Sequence, residues 1–255
     1  MGYFTGGFTI EKKADLSPVT VADREAEAII VAALHRLVPG IPVVAEEQGA
    51  AGANPPHGEL FFLVDALDGT RLFIRQKPEF SINIGLVDRG RPVFGLIYVP
   101  PTGELFLTGG DGASYAARVY PEDTAAKLSH LSRHQLSARE ADAGHIVAYN
   151  SRSAGGAAAQ FLDELGVAEG RPLGSSLKFC RIAAGEGDVY ARFGQTHEWD
   201  TAAGQAILEA AGGAVFTADG LPLTYGRADN NYTNPHFVAW GRRPLRHGFS
   251  PIPST

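Results

Sequence analysis

The chain has 255 residues, 44% of them hydrophobic, and a formal net charge of −6. That length suits one large domain or two lobes sharing a core, and the hydrophobic share excludes intrinsic disorder. The negative balance gives no reason to expect a nucleic-acid polymer as partner, so an anionic substrate would need local cations.

The single cysteine, Cys180, excludes an internal disulfide and fits a reducing, cytoplasmic setting. It sits in Leu177-Lys178-Phe179-Cys180, which reads as core packing rather than as a nucleophile. No apolar run reaches membrane-spanning length, and the first residues lack a basic region followed by an apolar one.

In chain order, residues 1–10 are rich in glycine and aromatics and show no helical period. Pro18 disfavours helix just before it, and Thr20 to Asp23 has the spacing of a capping box. Ala26, Ile29, Ile30, Ala33, Leu34 and Leu37 recur at helical spacing and predict one buried face, ended by Pro39-Gly40. Asp23 reads equally as a helix-start acid and as a functional group. Pro42 to Ala45 is a short strand that delivers Glu46-Glu47, ahead of a flexible loop from Gln48 to Gly58.

The apolar run Leu60 to Leu63 suits a buried strand, and Asp65 and Asp68 stand where that strand should end. Gly69 allows a tight turn, and Thr70 can cap a following helix. Like charges held this close repel unless a cation sits between them, and an oxygen-only donor set suits a hard ion such as Mg²⁺. The other reading is an Asx turn, with both acids serving only as turn formers.

Phe80 to Val87 and Val93 to Val99 predict a hairpin across Asp88-Arg89-Gly90-Arg91, and after a turn at Pro100 to Gly103 the run Glu104 to Thr108 continues a meander. Gly109-Gly110-Asp111-Gly112 lacks the Lys-Ser/Thr of a phosphate-binding loop and reads as a turn. Pro121 to Gly144 is polar and irregular. It marks the boundary between an N-terminal α+β lobe, residues 1–120, and a C-terminal α/β lobe, residues 145–255.

The second lobe begins with a strand from His145 to Tyr149 and a helix from Gly156 to Leu165. Gly174-Ser175-Ser176-Leu177-Lys178 then leads into a helix ending near Gly185. A strand from Asp188 to Arg192 follows, then Thr196 to Asp200 ahead of a helix from Thr201 to Ala211, stopped by Gly212-Gly213. Ala214 to Thr217 and Phe237 to Trp240 are the final strands. Glu46, Asp65, Asp68 and Asp200 each stand at a strand end or helix start, and acids so placed can meet over a sheet edge and hold divalent ions. Asp200 also reads as a capping acid, and His197 as a structural histidine.

Glu46-Glu47, Asp65-Ala66-Leu67-Asp68-Gly69-Thr70 and Trp199-Asp200-Thr201-Ala202-Ala203-Gly204 together resemble the inositol monophosphatase superfamily of metal-dependent, lithium-sensitive phosphatases. The resemblance covers nearly the whole chain. Within the superfamily, Lys13 to Asp23, Gly174 to Cys180 and Glu198 to Gln205 are most similar to the bacterial 3′(2′),5′-bisphosphate nucleotidases of sulfate assimilation.

The resemblance implies an α/β fold, a layered αβαβα sandwich with a large, mainly antiparallel sheet in the first lobe and a mixed sheet flanked by helices in the second. It implies two Mg²⁺ ions, with a third held more loosely, bound by Glu46, Asp65, Asp68, Asp200 and the Leu67 carbonyl, Asp65 bridging. Asp23 and Thr70, assisted by Glu46, would orient and deprotonate the attacking water. Substrate contacts would come from Glu46, Leu67, Asp68, Gly69, Thr70 and Asp200, and on the nucleoside side from Ser175, Ser176 and Lys178. The implied reaction is in-line removal of the 3′-phosphate of adenosine 3′,5′-bisphosphate to leave AMP, with the corresponding 5′-phosphosulfate as a further substrate.

Competing readings are an inositol or other sugar-phosphate phosphatase on the same scaffold, a catalytically silent nucleotide-binding protein, and a structural α/β protein with solvated acids. The resemblance also implies a homodimer. Family members usually carry a further amphipathic helix before the segment matching Lys13. About a dozen residues precede it here, so either the start is truncated or that helix is absent, and its loss would uncover apolar surface near the first lobe.

Overall fold

A computed structural model describes residues 2–6, 10–12, 18–124, 130–151 and 155–245. The motif segment from Lys13 to Ser17 lies outside the described residues, as do residues 246–255 of the expected C-terminal lobe. The chain opens with a short helix, α1 (Gly2–Gly6), where the sequence predicts none, and a small hairpin of β1 (Ile10–Lys12) and β2 (Pro18–Thr20). Phe4 of α1 seats its ring against Phe73 and Phe80, with centroids 5.5 and 5.1 Å away, which supplies a tertiary reason for a helix without local periodicity.

Helix α2 (Val21–Leu37) begins at the predicted capping box, with Thr20 and Asp23 bonded reciprocally. Its buried stripe differs from the predicted one. Asp23, Glu27 and Val31 face inward, while Ile29 is 70% and Leu37 72% exposed. Two acids occupy inward positions because polar partners await them there, and the register of the helix follows.

The first sheet has seven strands in the order β3 (Val43–Ala45), β4 (Leu60–Asp68), β5 (Ser81–Asp88), β6 (Arg91–Val99), β7 (Glu104–Thr108), β8 (Ser114–Arg118) and β9 (Arg133–Gln135). Only β3 and β4 pair in parallel, so the sheet is mainly antiparallel as expected. Arg89 and Gly90 both take positive φ, 49° and 74°, as a two-residue hairpin loop twisted like its strands requires. Strand β9 falls inside the stretch expected to be irregular. Helix α3 (Glu46–Ala50) replaces the start of the loop expected after β3, and α4 (Thr70–Ile74) follows β4.

The second sheet has five strands, β11-β10-β12-β14-β13, formed by β10 (Ile146–Asn150), β11 (Val167–Pro172), β12 (Val189–Arg192), β13 (Ala214–Thr217) and β14 (Phe237–Trp240). Strand β10 runs parallel to β11 and β12, and β14 is antiparallel to both its neighbours, giving the mixed sheet expected. Strand β11 is not anticipated by the sequence pattern. The helices of this half are α5 (Ala157–Glu164), α6 (Leu177–Ala183) and α7 (Ala202–Ala210).

Strand alternation sorts side chains into layers. Phe61 and Leu63 join α6, α7, Tyr190 and Phe237 in the central core, whereas Phe62 and Val64 pack with Ile30, Val31 and Leu34 of α2 on the other face. In the second sheet, Ile146, Ala148, Val189 and Trp240 pack outward against Phe161 and Leu162 of α5. The result is α2, sheet, α6 with α7, sheet, α5: the αβαβα sandwich. The contact of α7 with the first sheet is very close. Gly85 and Gly95 are cross-strand partners on β5 and β6, and a β-carbon on Gly95 would stand 2.2 Å from the Ala203 carbonyl oxygen. Among the described residues, no helix is long and apolar enough to cross a membrane.

Candidate active site

Strand β4 runs past the point where its apolar alternation stops. Asp65 pairs with Asn83 and Asp68 with Ser81, so one extra residue bulges from β4. The Leu67 N–H donates to Asp65 Oδ1 at 2.9 Å, an Asx-type bond. The turn-former reading therefore describes Asp65 correctly but does not exhaust it. Its buried carboxylate also meets Glu46, at the start of α3, and Asp200, on a 3₁₀ turn (Glu198–Asp200) just before α7. One oxygen from each of the three lies within 4.8 Å of the others.

Three carboxylates so close repel one another. Burial first, then the charges of Glu46, Asp68 and Asp200, hold the Asp65 carboxyl well above the usual carboxylate range. Burial, Asp68 and Glu46 do the same to Asp200. An all-oxygen set under this repulsion is what a hard divalent cation relieves, so the residues present fit a metal ion. Asp68 lies outside the tight trio but lines the same cavity. Its Oδ2 accepts the Ser176 N–H at 2.6 Å and faces Asn83 Nδ2 at 3.4 Å. Leu67, whose carbonyl faces the Thr70 hydroxyl at 3.2 Å, lines it too. Asp200 also accepts the His197 N–H at 2.9 Å and so closes a capping box on its own 3₁₀ turn, whereas Thr201, not Asp200, holds the N-cap position of α7.

Asp23 and Thr70, 47 positions apart, are brought together: Thr70 Oγ1 donates to Asp23 Oδ1 at 2.9 Å. The other oxygen, Oδ2, takes the Thr20 N–H at 2.8 Å and the Thr20 hydroxyl at 2.5 Å. Three donors thus fix this buried carboxylate. Thr70 does not cap α4. Gly69 holds that position in the left-handed region, φ 99°, with the Glu79 carbonyl 3.1 Å from where a β-carbon would be, and the threonine hydroxyl is left for Asp23.

These groups line a cavity of about 610 Å³ that is also bordered by Ser175, Ser176 and Lys178. Ser176 Oγ donates to Asn83 Oδ1 at 2.7 Å, Ser175 Oγ contacts Ser81 Oγ, and Lys178 Nζ donates to the carbonyls of Leu173 and Ser175. Burial lowers the Lys178 ammonium to about 8. His197 stacks on Trp199 at 4.9 Å. Cys180 is fully buried, and burial pushes its thiol upward, away from thiolate chemistry.

Two residues of consequence escape the sequence reading. Arg192 of β12 lines the cavity, its Nη atoms bonded to Ser151 Oγ and the Gln195 carbonyl, while its buried Nε has no hydrogen-bond partner among the described residues. Glu27 of α2 is the second. An acid at i+4 from Asp23, inside an otherwise apolar spacing, was the available signal for it.

A sequence model of the inositol monophosphatase family matches residues 1–241. The 3′(2′),5′-bisphosphate nucleotidase CysQ of Escherichia coli (strain K12) is 37% identical over 228 residues, covering 89% of this chain and 87% of its own. Its counterpart in Salmonella typhimurium is 38% identical over 226 residues, covering 89% and 86%. The crystal structure of CysQ from Bacteroides thetaiotaomicron, described as a bacterial member of the inositol monophosphatase family, superposes with a TM-score of 0.74 at 35% identity, covering 91% of this chain and 87% of that one. An IMPase of Thermotoga maritima shares the fold, with a TM-score of 0.72 at 24% identity, covering 94% and 85%. Motif, layer order and match along nearly the whole chain agree: the protein belongs to the inositol monophosphatase family of metal-dependent phosphatases.

Proposed function

We propose that this protein is a Mg²⁺-dependent 3′(2′),5′-bisphosphate nucleotidase that hydrolyses the 3′-phosphate of adenosine 3′,5′-bisphosphate, leaving AMP. The observation that carries the reading is the meeting of Glu46, Asp65 and Asp200 within 4.8 Å, in one cavity with Thr70 and Arg192. Similarity to the CysQ nucleotidases supports the choice of substrate. At about 610 Å³ the cavity is within the range of small-ligand sites. The lone buried cysteine fits a cytoplasmic enzyme.

Glu46, Asp65, Asp68, Asp200 and the Leu67 carbonyl would hold the metal. Bound Mg²⁺ would supply charge neutralisation at the phosphoryl oxygens and a more acidic water. The protein's own groups do the rest. Thr70 gives its hydroxyl proton to the bond with Asp23 Oδ1, so its oxygen would act as an acceptor that orients an attacking water. Gly69 and Thr70, at the turn into α4, would bring backbone N–H groups to the phosphate oxygens. Arg192 and Lys178 would meet the second phosphate, the orphaned Nε of Arg192 gaining the acceptor it lacks. The cavity draws on residues of the stretches 1–120 and 145–255, which we take as two lobes with the active site between them.

Phosphate release from adenosine 3′,5′-bisphosphate and from inositol 1-phosphate, each with Mg²⁺ and with EDTA, tests the assignment. We expect Mg²⁺-dependent release with kcat/KM at least tenfold higher for the nucleotide. Preference for inositol 1-phosphate would overturn the substrate, and equal release in EDTA would overturn the metal.

A further inference from the structure

Glu27 lies one helical turn beyond Asp23 on α2 and is 3% exposed. Its two carboxylate oxygens each accept a backbone N–H, from Glu47 at 2.7 Å and from Gln48 at 2.9 Å. Those amides belong to the first turn of α3, where a helix has no internal acceptors for its N–H groups. The residue at the N-cap is Ala45, whose side chain has no oxygen to offer, so the cap comes from a neighbouring helix instead.

The same turn is gripped from other sides. Asn54 Oδ1 accepts the Ala45 N–H at 2.9 Å, and a β-carbon on Gly49 would stand 2.6 Å from Asn54 Nδ2 and 3.6 Å from the Trp199 ring. The first residue of α3 is Glu46, one of the three crowded carboxylates. A helix of five residues cannot hold its own shape, so where its first residue sits depends on what the neighbouring elements supply.

We propose that Glu27 is a positioning residue: by clamping the amides of Glu47 and Gln48 it holds the Glu46 carboxylate within reach of Asp65 and Asp200. Because Asp23 sits four residues earlier on the same helix, about 6 Å along its axis, α2 also ties the Glu46 turn to the Asp23–Thr70 pair. This rests on the metal-site reading above but not on the identity of the substrate.

The test titrates Mn²⁺ into the substrate-free protein, reads the free-ion electron paramagnetic resonance signal, and measures hydrogen exchange at residues 46–50. Glu27→Gln keeps the size but turns an N–H₂ group toward one of the two amides, and Glu27→Ala removes both bonds. We expect Mn²⁺ binding at least threefold weaker in E27Q and tenfold weaker in E27A. The amides of Glu47 and Gln48 should exchange at least tenfold faster in E27A, with exchange in β10 and β12 unchanged. In the phosphatase assay, the metal concentration for half-maximal rate should rise in the same ratio, with KM for substrate at saturating metal within twofold of wild type. Wild-type exchange at residues 47 and 48 in E27A, or accelerated exchange with Mn²⁺ binding within twofold of wild type, would overturn the proposal. Should E27A fail to fold, E27Q decides by the same criteria. A wild-type protein that binds no Mn²⁺ would defeat the metal site itself, and the positioning role with it.

Discussion

Replacing Asp65 by Asn is expected to make the metal-free protein more stable while removing its response to Mg²⁺. The Asp65, Glu46 and Asp200 oxygens lie within 4.8 Å of one another. At an effective dielectric of about 20, two unit charges that close repel by roughly 3.5 kcal/mol. Asp65 has two such neighbours, and its escape is to take up a proton, which at about pH 8 costs roughly 5–6 kcal/mol for an ordinary carboxyl. Asparagine has no charge to place there and keeps the Oδ1 acceptor for the Leu67 N–H. Proton uptake is the cheaper route, so roughly 5–6 kcal/mol bounds the gain near pH 8 in EDTA. Burying the amide N–H₂ without a partner sets about 1–3 kcal/mol against it. A gain of about 3 kcal/mol is therefore expected, or roughly 6–12 °C in Tm for a chain of this size.

The sign with pH is also determined. Burial and neighbouring charges raise the Asp65 carboxyl in the folded state, so its contribution to stability is present in acid and lost as pH rises through that raised value. The advantage of D65N should accordingly vanish toward about pH 4 and grow with pH. Thermal unfolding of both proteins in EDTA and in Mg²⁺ is the assay. Mg²⁺ should raise the Tm of wild type and leave that of D65N unmoved. A variant no more stable than wild type at pH 8 in EDTA, or a difference independent of pH, would refute the picture of mutually repelling acids.

Thr70→Val keeps the side-chain shape but removes the hydroxyl bonded to Asp23, and kcat should fall by about 10²–10⁴ with Mn²⁺ binding within twofold of wild type. Equal loss of metal binding would move Thr70 out of the water-orienting role. Gly95→Ala forces a β-carbon to within 2.2 Å of the Ala203 carbonyl, and urea unfolding should register a loss of about 1–3 kcal/mol or more. An unchanged midpoint would mean that α7 is not seated on the sheet so tightly. Arg192→Met should raise KM for adenosine 3′,5′-bisphosphate at least tenfold while changing hydrolysis of adenosine 3′-monophosphate less than twofold. The same loss on both substrates would assign Arg192 to the reacting phosphate instead.

The acidic trio was legible because each member sits where a regular pattern stops: Ala45 gives way to Glu46, the apolar run before Asp65 breaks, and Asp200 precedes the small-residue helix. The close packing of that helix gives Ala202, Ala203 and Gly204 a steric reason, since Gly85, Gly95 and Phe179 leave no room for bulk. Where the structure departs from the local pattern, a distant partner overrules a local rule. Ile29 was expected inside because periodicity counts apolar residues, but Asp23 and Glu27 are pulled inward by groups 20 or more positions away. Thr70 was expected to cap α4, yet its hydroxyl goes to Asp23 and a left-handed glycine takes the cap. Helix α3 had no local signal, since its first amides are satisfied from α2. Strands β9 and β11 are edge strands without a fully buried residue, and such strands carry little of the alternation by which inner strands are recognised.

Asp68 is held at 2.6 Å by the main chain of Ser176, not by its side chain. Only proline would remove such a donor outright, since it has no N–H, so a Ser176 variant that keeps the local backbone keeps the bond. Gly174, where a β-carbon would stand 2.2 Å from Leu72 Cδ1, and Ser175, at φ 58°, fix the backbone path that presents this amide, so the grip on the acid beneath rests on main-chain shape and not on a hydroxyl. The cavity wall and the acid behind it are thereby joined through the chain itself, and any change in the path of residues 174–176 would reach both at once.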